Sequence, residues 1–480
     1  MRLADLAAVA DGARVVDDSS VEITELAYDS RKAGPGTLFF CVVGEKRDGH
    51  EFAAQVVEAG AAALVVEREL AVSVPQVVVP SARAAMAPLA ARFYGEPTAE
   101  LRVVGITGTN GKTTTAFLVR ETLEAAGIQT GLLGTVKQVV GGAEEGVERT
   151  TPEAIDLQAT FRRMLDAGDR ACAMEVSSHA LSLHRADAIR VEAALFTNLT
   201  QDHLDFHADM EDYFLAKRRL FEAGPGTAIV NVDDEYGRRL AGEFECVTFS
   251  AEGADADYSA GDVCFDAGGA EFTVNGELRV RTGLPGHFNI ANALGAFAAA
   301  RALGVEAQAA ATGLARASRV PGRFEPIDEG QGFAVLVDYA HTPDSLENVL
   351  RAARRLTTGR LISVFGAGGD RDRDKRPMMG RAGAELSDLA VITSDNPRSE
   401  DPEAIVAEVA AGAEAADKLE IVVGRREAIA LALARAEPGD TVVIAGKGHE
   451  QGQEFEAGRK VPFDDRDVAR EELRKLGSPA

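Results

Sequence analysis

Leu101-Arg-Val-Val-Gly-Ile-Thr-Gly-Thr-Asn-Gly-Lys-Thr-Thr114 decides the fold. An apolar run over 101–106 reads as a buried strand, and the pattern over 113–126 reads as a helix. Between them lies a short glycine loop. Backbone N–H groups from Gly108 to Gly111 can surround phosphate oxygens, and the following helix adds its positive end. In that arrangement Lys112 reaches the outer phosphates and Thr113 ligates Mg²⁺. The spacing is not that of the long G-x-x-x-x-G-K-T loop, because Ile106 stands five positions before Gly111. It is the shorter form, Gly108, Thr109, Asn110, Gly111, Lys112, Thr113, Thr114.

Outward from this loop, the chain alternates strand and helix. Strands are expected over 171–176, 193–197 and 227–231, with helices between them, the pattern of a parallel sheet wound on both faces. The Gly-rich, strand-like stretch over 255–283 lacks helical spacing and reads as a small β insertion. Helices over 289–303 and 306–315 close this central region, and Val320-Pro-Gly-Arg323 reads as a boundary. Before it, residues 1–98 mix short strands (37–43) with helices (52–61 and 82–94), ending at the linker Gly95-Glu-Pro97. After it, strands over 334–338, 361–365, 389–393, 419–423 and 441–445 alternate with helices. The expected class is α/β with three domains, 1–98, 99–321 and 322–480: a small N-terminal domain, a central phosphate-loop domain with a β insertion, and a Rossmann-like doubly wound domain. In such sheets ligands gather beyond the carboxyl ends of the strands. Gly366-Ala-Gly-Gly-Asp-Arg-Asp372, Ser394-Asp-Asn-Pro-Arg398 and Gly446-Lys-Gly-His-Glu450 all follow strands, so they should open on one rim.

Composition narrows the function classes. With 480 residues, 46% of them hydrophobic, the chain supports about three cores. Its net charge of −25 disfavours nucleic acid and anionic membranes as partners. No apolar run approaches the roughly 18 residues of a membrane span, and Asp5 interrupts the positive start a signal peptide keeps; the expected location is the cytoplasm. Cys41, Cys172, Cys246 and Cys264 lie far apart and read as reduced core residues.

Two strand ends carry further polar chemistry. Glu175, in Met174-Glu-Val-Ser-Ser-His179, reads either as a magnesium carboxylate or as a surface acid. His203, in Thr197-Asn-Leu-Thr-Gln-Asp-His-Leu-Asp-Phe-His207, reads either as a metal ligand or as part of a capping network. Lys217 by itself reads as an ordinary helical surface lysine.

Taken together, Gly108 to Thr114, Glu175 to His179, Asn198 to His203, Tyr213-Phe-Leu-Ala-Lys217 and Asp338-Tyr-Ala-His341 resemble the Mur ligase family, in order and over essentially the whole chain. Gly369-Asp-Arg-Asp372, Asp395-Asn-Pro-Arg398 and Gly446 to Glu450 resemble the branch that adds meso-diaminopimelate to UDP-N-acetylmuramoyl-L-alanyl-D-glutamate. The resemblance implies ATP on Gly108 to Thr114, with Asn289, Asn292, Arg323 and Asp338 near its adenine and ribose. It implies two Mg²⁺ ions, one on Thr113 and one organised by Glu175, His203 and a carbamylated Lys217. A carbamate offers two hard oxygens where an ammonium offers none. It places the uridine nucleotide at Tyr28, Ser30, Glu45, Lys46 and Arg47, which makes the first domain a UDP-muramoyl-binding one. It places the muramoyl peptide at Thr150, Thr151, Ser177, Leu183 and Arg185, with Leu183 standing where some members have Gln.

The same resemblance implies a diaminopimelate site of Arg371, Asp395, Asn396, Pro397, Arg398, Gly446 and Glu450. The distal carboxylate that distinguishes this amino acid from L-lysine matches an arginine fork. It implies catalysis by Lys112, Glu175, His203 and Lys217 through an acyl phosphate, by a monomer acting on small-molecule substrates. The alternatives are an L-lysine-adding relative, a folylpolyglutamate synthetase, or a nucleotide switch without ligase activity.

Overall fold

The computed structural model describes residues 1–44, 47–147, 149–266, 268–317, 320–413 and 418–477. The chain forms two compact units. Met1–Thr107, Ile128–Ala194 and Ala216–Thr227 make the first, and Gly108–Gly127, Leu195–Leu215 and Ala228–Ala480 the second.

The first unit opens with a five-stranded sheet of β1 (Arg14–Val16), β2 (Glu25–Ala27), β3 (Thr37–Phe40), β4 (Ala63–Val66) and β5 (Gln76–Val78), in the order β1-β5-β4-β3-β2. Only β1 runs antiparallel to its neighbour. Helices α1 (Leu3–Ala7), α2 (Ala53–Glu58) and α3 (Ala82–Phe93) accompany it. Alternate side chains of β3 and β4 serve two cores: Leu38, Phe40 and Val65 pack with Met86 and Leu89, while Phe39, Leu64 and Val66 pack with Val56. Burial on both faces explains why these strands read as unbroken apolar runs. The strand expected over 37–43 ends at Phe40, and the helix expected over 52–61 is a 3₁₀ turn, Gly49–Phe52, followed by α2.

After β6 (Arg102–Thr107) the chain passes through α4 (Lys112–Ala125), which belongs to the second unit. It returns with β7 (Thr130–Leu133), a hairpin of β8 (Gln138–Val140) and β9 (Ala143–Glu145), α5 (Ala154–Asp166), β10 (Ala171–Glu175) and α6 (Ser178–Ser182). β10 lies between β6 and β7, parallel to both, with Met174 opposite Gly105 and Leu133. β11 (Val191–Phe196) and α7 (Met210–Glu222) each contain a division between the units.

In the second unit β12 (Thr227–Asn231), α8 (Glu235–Glu243), β13 (Cys246–Ser250) and β14 (Tyr258–Asp266) lead into β15 (Gly269–Val274) and β16 (Leu278–Thr282). β12 to β14 are parallel, and β14 to β16 form the antiparallel insertion expected there. α9 (His287–Ala302) and α10 (Ala307–Arg316) pack on α4. Gly313 permits this, since a Cβ there would stand 2.8 Å from Thr122 Cα.

The last third is doubly wound as expected. β17 (Glu325–Pro326), β18 (Ala334–Asp338), β19 (Leu361–Phe365), β20 (Leu389–Ile392), β21 (Leu419–Ile421) and β22 (Thr441–Ala445) lie in the order β17-β18-β22-β19-β20-β21, all parallel except β17. α11 (Pro343–Leu356), α12 (Lys375–Leu386) and α13 (Pro402–Ala410) cover one face through Leu346, Leu350, Met379 and Ile405. α14 (Arg425–Arg435) and α15 (Asp465–Gly477) cover the other through Ile429, Leu433, Val468 and Leu473. The cysteine expectation needs correction: Cys41 and Cys172 are buried, but Cys246 is half-buried and Cys264 exposed. Cys246 is the first residue of β13, and Cys264 lies on the exposed alternate positions of β14 with Asp262 and Asp266.

One buried ion pair joins two rim loops to this sheet. Arg425 and Asp465 are both fully buried, with Nη2 donating to the carboxylate at 2.6 Å. The same guanidinium donates to Ser394 O (3.3 Å) and Ala445 O (3.0 Å), the starts of the loops after β20 and β22. Arg425→Met strands a buried carboxylate and two carbonyls. It is expected to cost about 3–5 kcal/mol in urea unfolding, with Arg425→Met/Asp465→Leu recovering much of that loss. A single variant as stable as the parent would contradict this role.

Candidate active site

The glycine loop is held from outside. Asn110 N donates to Asn198 Oδ1 (2.9 Å), while Asn198 Nδ2 (3.2 Å) and Thr197 Oγ1 (2.6 Å) donate to Asn110 O. Thr109 N donates to Asn198 O (2.8 Å), and Thr109 Oγ1 exchanges hydrogen bonds with Thr200 and Tyr213. Gly108 and Gly111 both have positive φ (+143° and +86°), and Gly111 leads straight into α4 beside Asn292. Two things therefore demand glycine at position 111: left-handed backbone and the close approach of Asn292.

Lys112 Nζ donates to Gly108 O (2.9 Å) and Thr109 O (2.8 Å), which keeps the ammonium against the loop. Thr113 is buried and its Oγ1 accepts from Arg323 Nη2 at 2.9 Å. The Arg323 guanidinium also lies over the Tyr339 ring, 4.7 Å from its centroid. Asn292 Nδ2 donates to Asn289 Oδ1 (3.0 Å), Asn289 Nδ2 to Pro285 O (2.8 Å), and Thr115 Oγ1 to Asn292 Oδ1 (3.3 Å). This chain ties α9 to α4. Asp338 accepts from Phe324 N at 2.7 Å; burial pushes its carboxyl up, against the opposing charge of Arg323.

The three loops beyond β19, β20 and β22 meet, as their places after parallel strands require. Asn396 Nδ2 donates to Glu450 Oε2 (2.9 Å), and Lys447 Nζ donates to both Asn396 Oδ1 and Glu450 Oε2 (2.8 Å each). Tyr339 OH reaches Glu450 Oε1 at 3.3 Å. Arg398, at φ +52°, donates through Nη1 to Gly369 O (2.7 Å) and through Nε to Glu454 (3.2 Å), while Gly369 N donates to Asn396 O. Arg371 is exposed and donates to its neighbour's carbonyl, Asp370 O, at 2.8 Å. Pro397 opens a turn closed by Glu400 N, which donates to its carbonyl at 3.0 Å. Gly446 N donates to Asp338 O, and Gly446 lies against Asp395. Asp395 is buried and, among the described residues, its Oδ2 accepts no hydrogen bond. Burial pushes that carboxyl up, but Lys447 and Arg425 outweigh it and hold it below the usual range.

The glycine loop and the last third share direct bonds. Besides Arg323 on Thr113, Asn110 Nδ2 donates to Asp344 at 2.8 Å from the first turn of α11. Asp202 is a second joint: His203 (3.4 Å), Lys375 (3.6 Å) and His341 (4.0 Å) surround its buried carboxylate. Burial pushes Asp202 up, but these three groups overcome it and keep it ionised. His184 and His207 pair locally with Asp187 and Asp212. Sequence reasoning missed Asp344, Lys375 and Lys447. Only Lys447, set between two glycines in a rim loop, carried a local signal.

The first unit holds the remaining candidates. Glu175 is buried and accepts from Thr135 N (2.7 Å) and Thr135 Oγ1 (3.1 Å). Thr135 Oγ1 bonds Thr150 Oγ1, Thr151 Oγ1 donates to Glu175 O, and Ser177 N donates to Thr151 Oγ1. Arg185 reaches Thr151 O at 3.4 Å, and half-buried Leu183 ends α6 nearby in sequence. Lys217, read alone as a surface lysine, is buried at 1% exposure. Tyr28 OH donates to Asp156 at 2.6 Å; burial and that carboxylate raise its pKa. Ser30 opens a 3₁₀ turn capped by Asp29, which Arg31 holds down at about 2. Arg47 lies 5.9 Å from the Phe52 ring, while Glu45 and Lys46 fall outside the described residues.

Known proteins match this chain over nearly all of its length. Family models for the Mur ligase catalytic domain, middle domain and glutamate ligase domain match residues 22–94, 106–300 and 322–448. UDP-N-acetylmuramoyl-L-alanyl-D-glutamate–2,6-diaminopimelate ligase of Streptomyces coelicolor is 49% identical, covering 95% of this chain and 94% of that one. The enzyme of the same name from Syntrophomonas wolfei is 46% identical, covering 94% and 95%. A solved structure of a ligase with that name is 31% identical, covers 100% of both chains and has a TM-score of 0.71. The chain belongs to the Mur ligase family and has its three-domain α/β fold.

The Asn198 clamp has a measurable consequence. Asn198→Ala removes two side-chain hydrogen bonds from the loop backbone, worth about 1 kcal/mol each. It should weaken Mg-ADP binding roughly 5- to 50-fold in calorimetry, and unchanged affinity would refute the clamp.

Proposed function

We propose that this Mur ligase joins meso-diaminopimelate to UDP-N-acetylmuramoyl-L-alanyl-D-glutamate, with ATP converted to ADP and phosphate, in cytoplasmic peptidoglycan precursor synthesis. The observation that carries the reading is the bonding of the glycine loop to the last third through Arg323–Thr113 and Asn110–Asp344. Within one unit, the candidate phosphoryl donor site is fastened to the elements that bear the amino-acid loops. Relatives at 49% and 46% identity bear the name of this activity.

In the first step the D-glutamyl γ-carboxylate attacks the γ-phosphorus of ATP, forming an acyl phosphate and releasing ADP. Lys112, now bound to loop carbonyls, exchanges them for phosphate oxygens and offsets the charge that builds there. In the second step the amine of diaminopimelate attacks the acyl carbon and phosphate leaves. Arg398 and Arg371 receive carboxylates of the amino acid, and Glu450, held by Lys447, Asn396 and Tyr339, receives an ammonium. Pro397 and Gly446 shape the turns that present these groups. Arg398 also supplies selectivity: with L-lysine bound the donors it keeps beyond Glu454 and Gly369 O meet no substrate carboxylate, and losing such a charge-assisted hydrogen bond costs about 1–3 kcal/mol.

Magnesium suits the donors proposed for it. Thr113 offers a hydroxyl and Glu175 a carboxylate, both hard oxygens, and His203 and Lys217 are the further candidates. Mg²⁺ supplies charge neutralisation for the phosphates. Lys217 is buried, and a carbamate formed there from CO₂ presents two hard oxygens, chemically suited to organise a cation. Asn289, Asn292, Arg323 and Asp338 are proposed for the adenine and ribose side. Tyr28, Ser30 and Arg47 are proposed for the uridine end, and Thr150, Thr151, Ser177 and Arg185 for the muramoyl peptide. The divisions proposed are 1–98, 99–321 and 322–480. The protein acts as a monomer. Among the described residues no helix is long and apolar enough to cross a membrane.

Phosphate release from ATP tests the reading. With the UDP-muramoyl dipeptide, release is expected with meso-diaminopimelate and roughly 10- to 100-fold lower kcat/KM with L-lysine. Release with lysine alone would reverse the specificity, and release with neither would remove the function. Lys217→Ala should abolish activity that a short carboxylic acid partly restores; full activity without the acid would exclude the carbamate.

A further inference from the structure

Arg83 stands in the first turn of α3, where the helix dipole disfavours a cation. Its Nη1 faces Glu153 Oε2 at 3.4 Å. Glu153, only 8% exposed at its side chain, also meets Arg149 Nη1 at 2.7 Å and Arg185 Nε at 3.0 Å. Three guanidiniums thus converge on one carboxylate. The next acid along α5, Asp156, accepts from Tyr28 OH. Counting Arg83, Arg149 and Arg185 against Glu153 and Asp156, the cluster keeps one positive charge in a chain whose net charge is −25.

A structural ion pair needs one arginine, and a second and third add repulsion and desolvation. Burial lowers the pKa of Arg185, and the neighbouring charges of Arg149 and Arg83 lower it further, against the pull of Glu153. Each guanidinium has five donors, so Glu153's two oxygens leave most of them for another acceptor. The same cluster reaches Thr151 through Arg185 Nη1. An anion placed here would relieve the repulsion and find bidentate donors.

We propose that Arg83 is an anion-binding residue for the UDP-muramoyl dipeptide, sharing Glu153 with Arg149 and Arg185. This rests on the function proposed above. The substrate offers two chemically related partners, the diphosphate and the D-glutamyl carboxylates.

The test is calorimetric titration of the full chain with UDP-N-acetylmuramoyl-L-alanyl-D-glutamate, with UDP alone, and with Mg-ADP. Arg83→Leu is expected to weaken the dipeptide substrate roughly 10- to 100-fold and leave Mg-ADP unchanged. Loss of UDP affinity as well identifies the diphosphate, and loss only with the dipeptide identifies a carboxylate. Glu153→Gln breaks the same ion pair but keeps all three guanidiniums, so it should bind as well as the parent or better. If Arg83→Leu and Glu153→Gln weaken binding alike, Arg83 is only a structural partner and the inference fails. If Arg83→Leu does not fold, Arg83→Lys decides: a several-fold loss supports a fork, and parental affinity overturns it. Failure of the parent to bind the substrate removes the functional reading itself. Parental binding matched by Arg83→Leu removes only this inference.

Discussion

Asn198 grips Asn110 from both sides, accepting from its N–H and donating to its carbonyl. A glycine loop is entropically loose, and the phosphate site proposed here needs its N–H groups aimed before the ligand arrives. The clamp from the end of β11 supplies that order, with Thr197 and Thr200 completing it. Arg323 on Thr113 and Asp344 on Asn110 then depend on a loop that already has its shape.

The rim of the last sheet follows the same logic with charges. Lys447 is fully buried yet compensated, because Asn396 and Glu450 accept hydrogen bonds from its ammonium and Asp395 stands 4.0 Å away. Arg425 and Asp465 underlie the same loops. Such networks are costly unless every member is matched. Among the described residues Asp395 Oδ2 is buried without a hydrogen bond, in the motif proposed to meet the amino acid.

How much of this was legible depended on the range of the cause. The strand 102–107, the helix after Lys112 and the parallel alternation of the last third were readable, since apolar period and glycine placement act within a few residues. The antiparallel insertion over 258–282 was readable for the same reason. Short strands of the first sheet, such as Arg14–Val16 and Gln76–Val78, were not, because three residues carry no period and owe their conformation to neighbours. The surface assignment of Lys217 failed because an isolated lysine does not reveal what packs over it.

The sequence by itself determined the strand–helix alternation, the glycine loop between a strand and a helix, and the set of motifs that identify the family. Each is written in contiguous residues whose backbone preferences and side-chain chemistry are local. Only the tertiary structure decided the pairings: Asp344 with Asn110, Arg323 with Thr113, Lys375 with Asp202, and three arginines on Glu153. These partners stand up to 234 residues apart. Hydrogen bonds and ion pairs require separations of a few ångströms, and packing, not spacing along the chain, sets those separations.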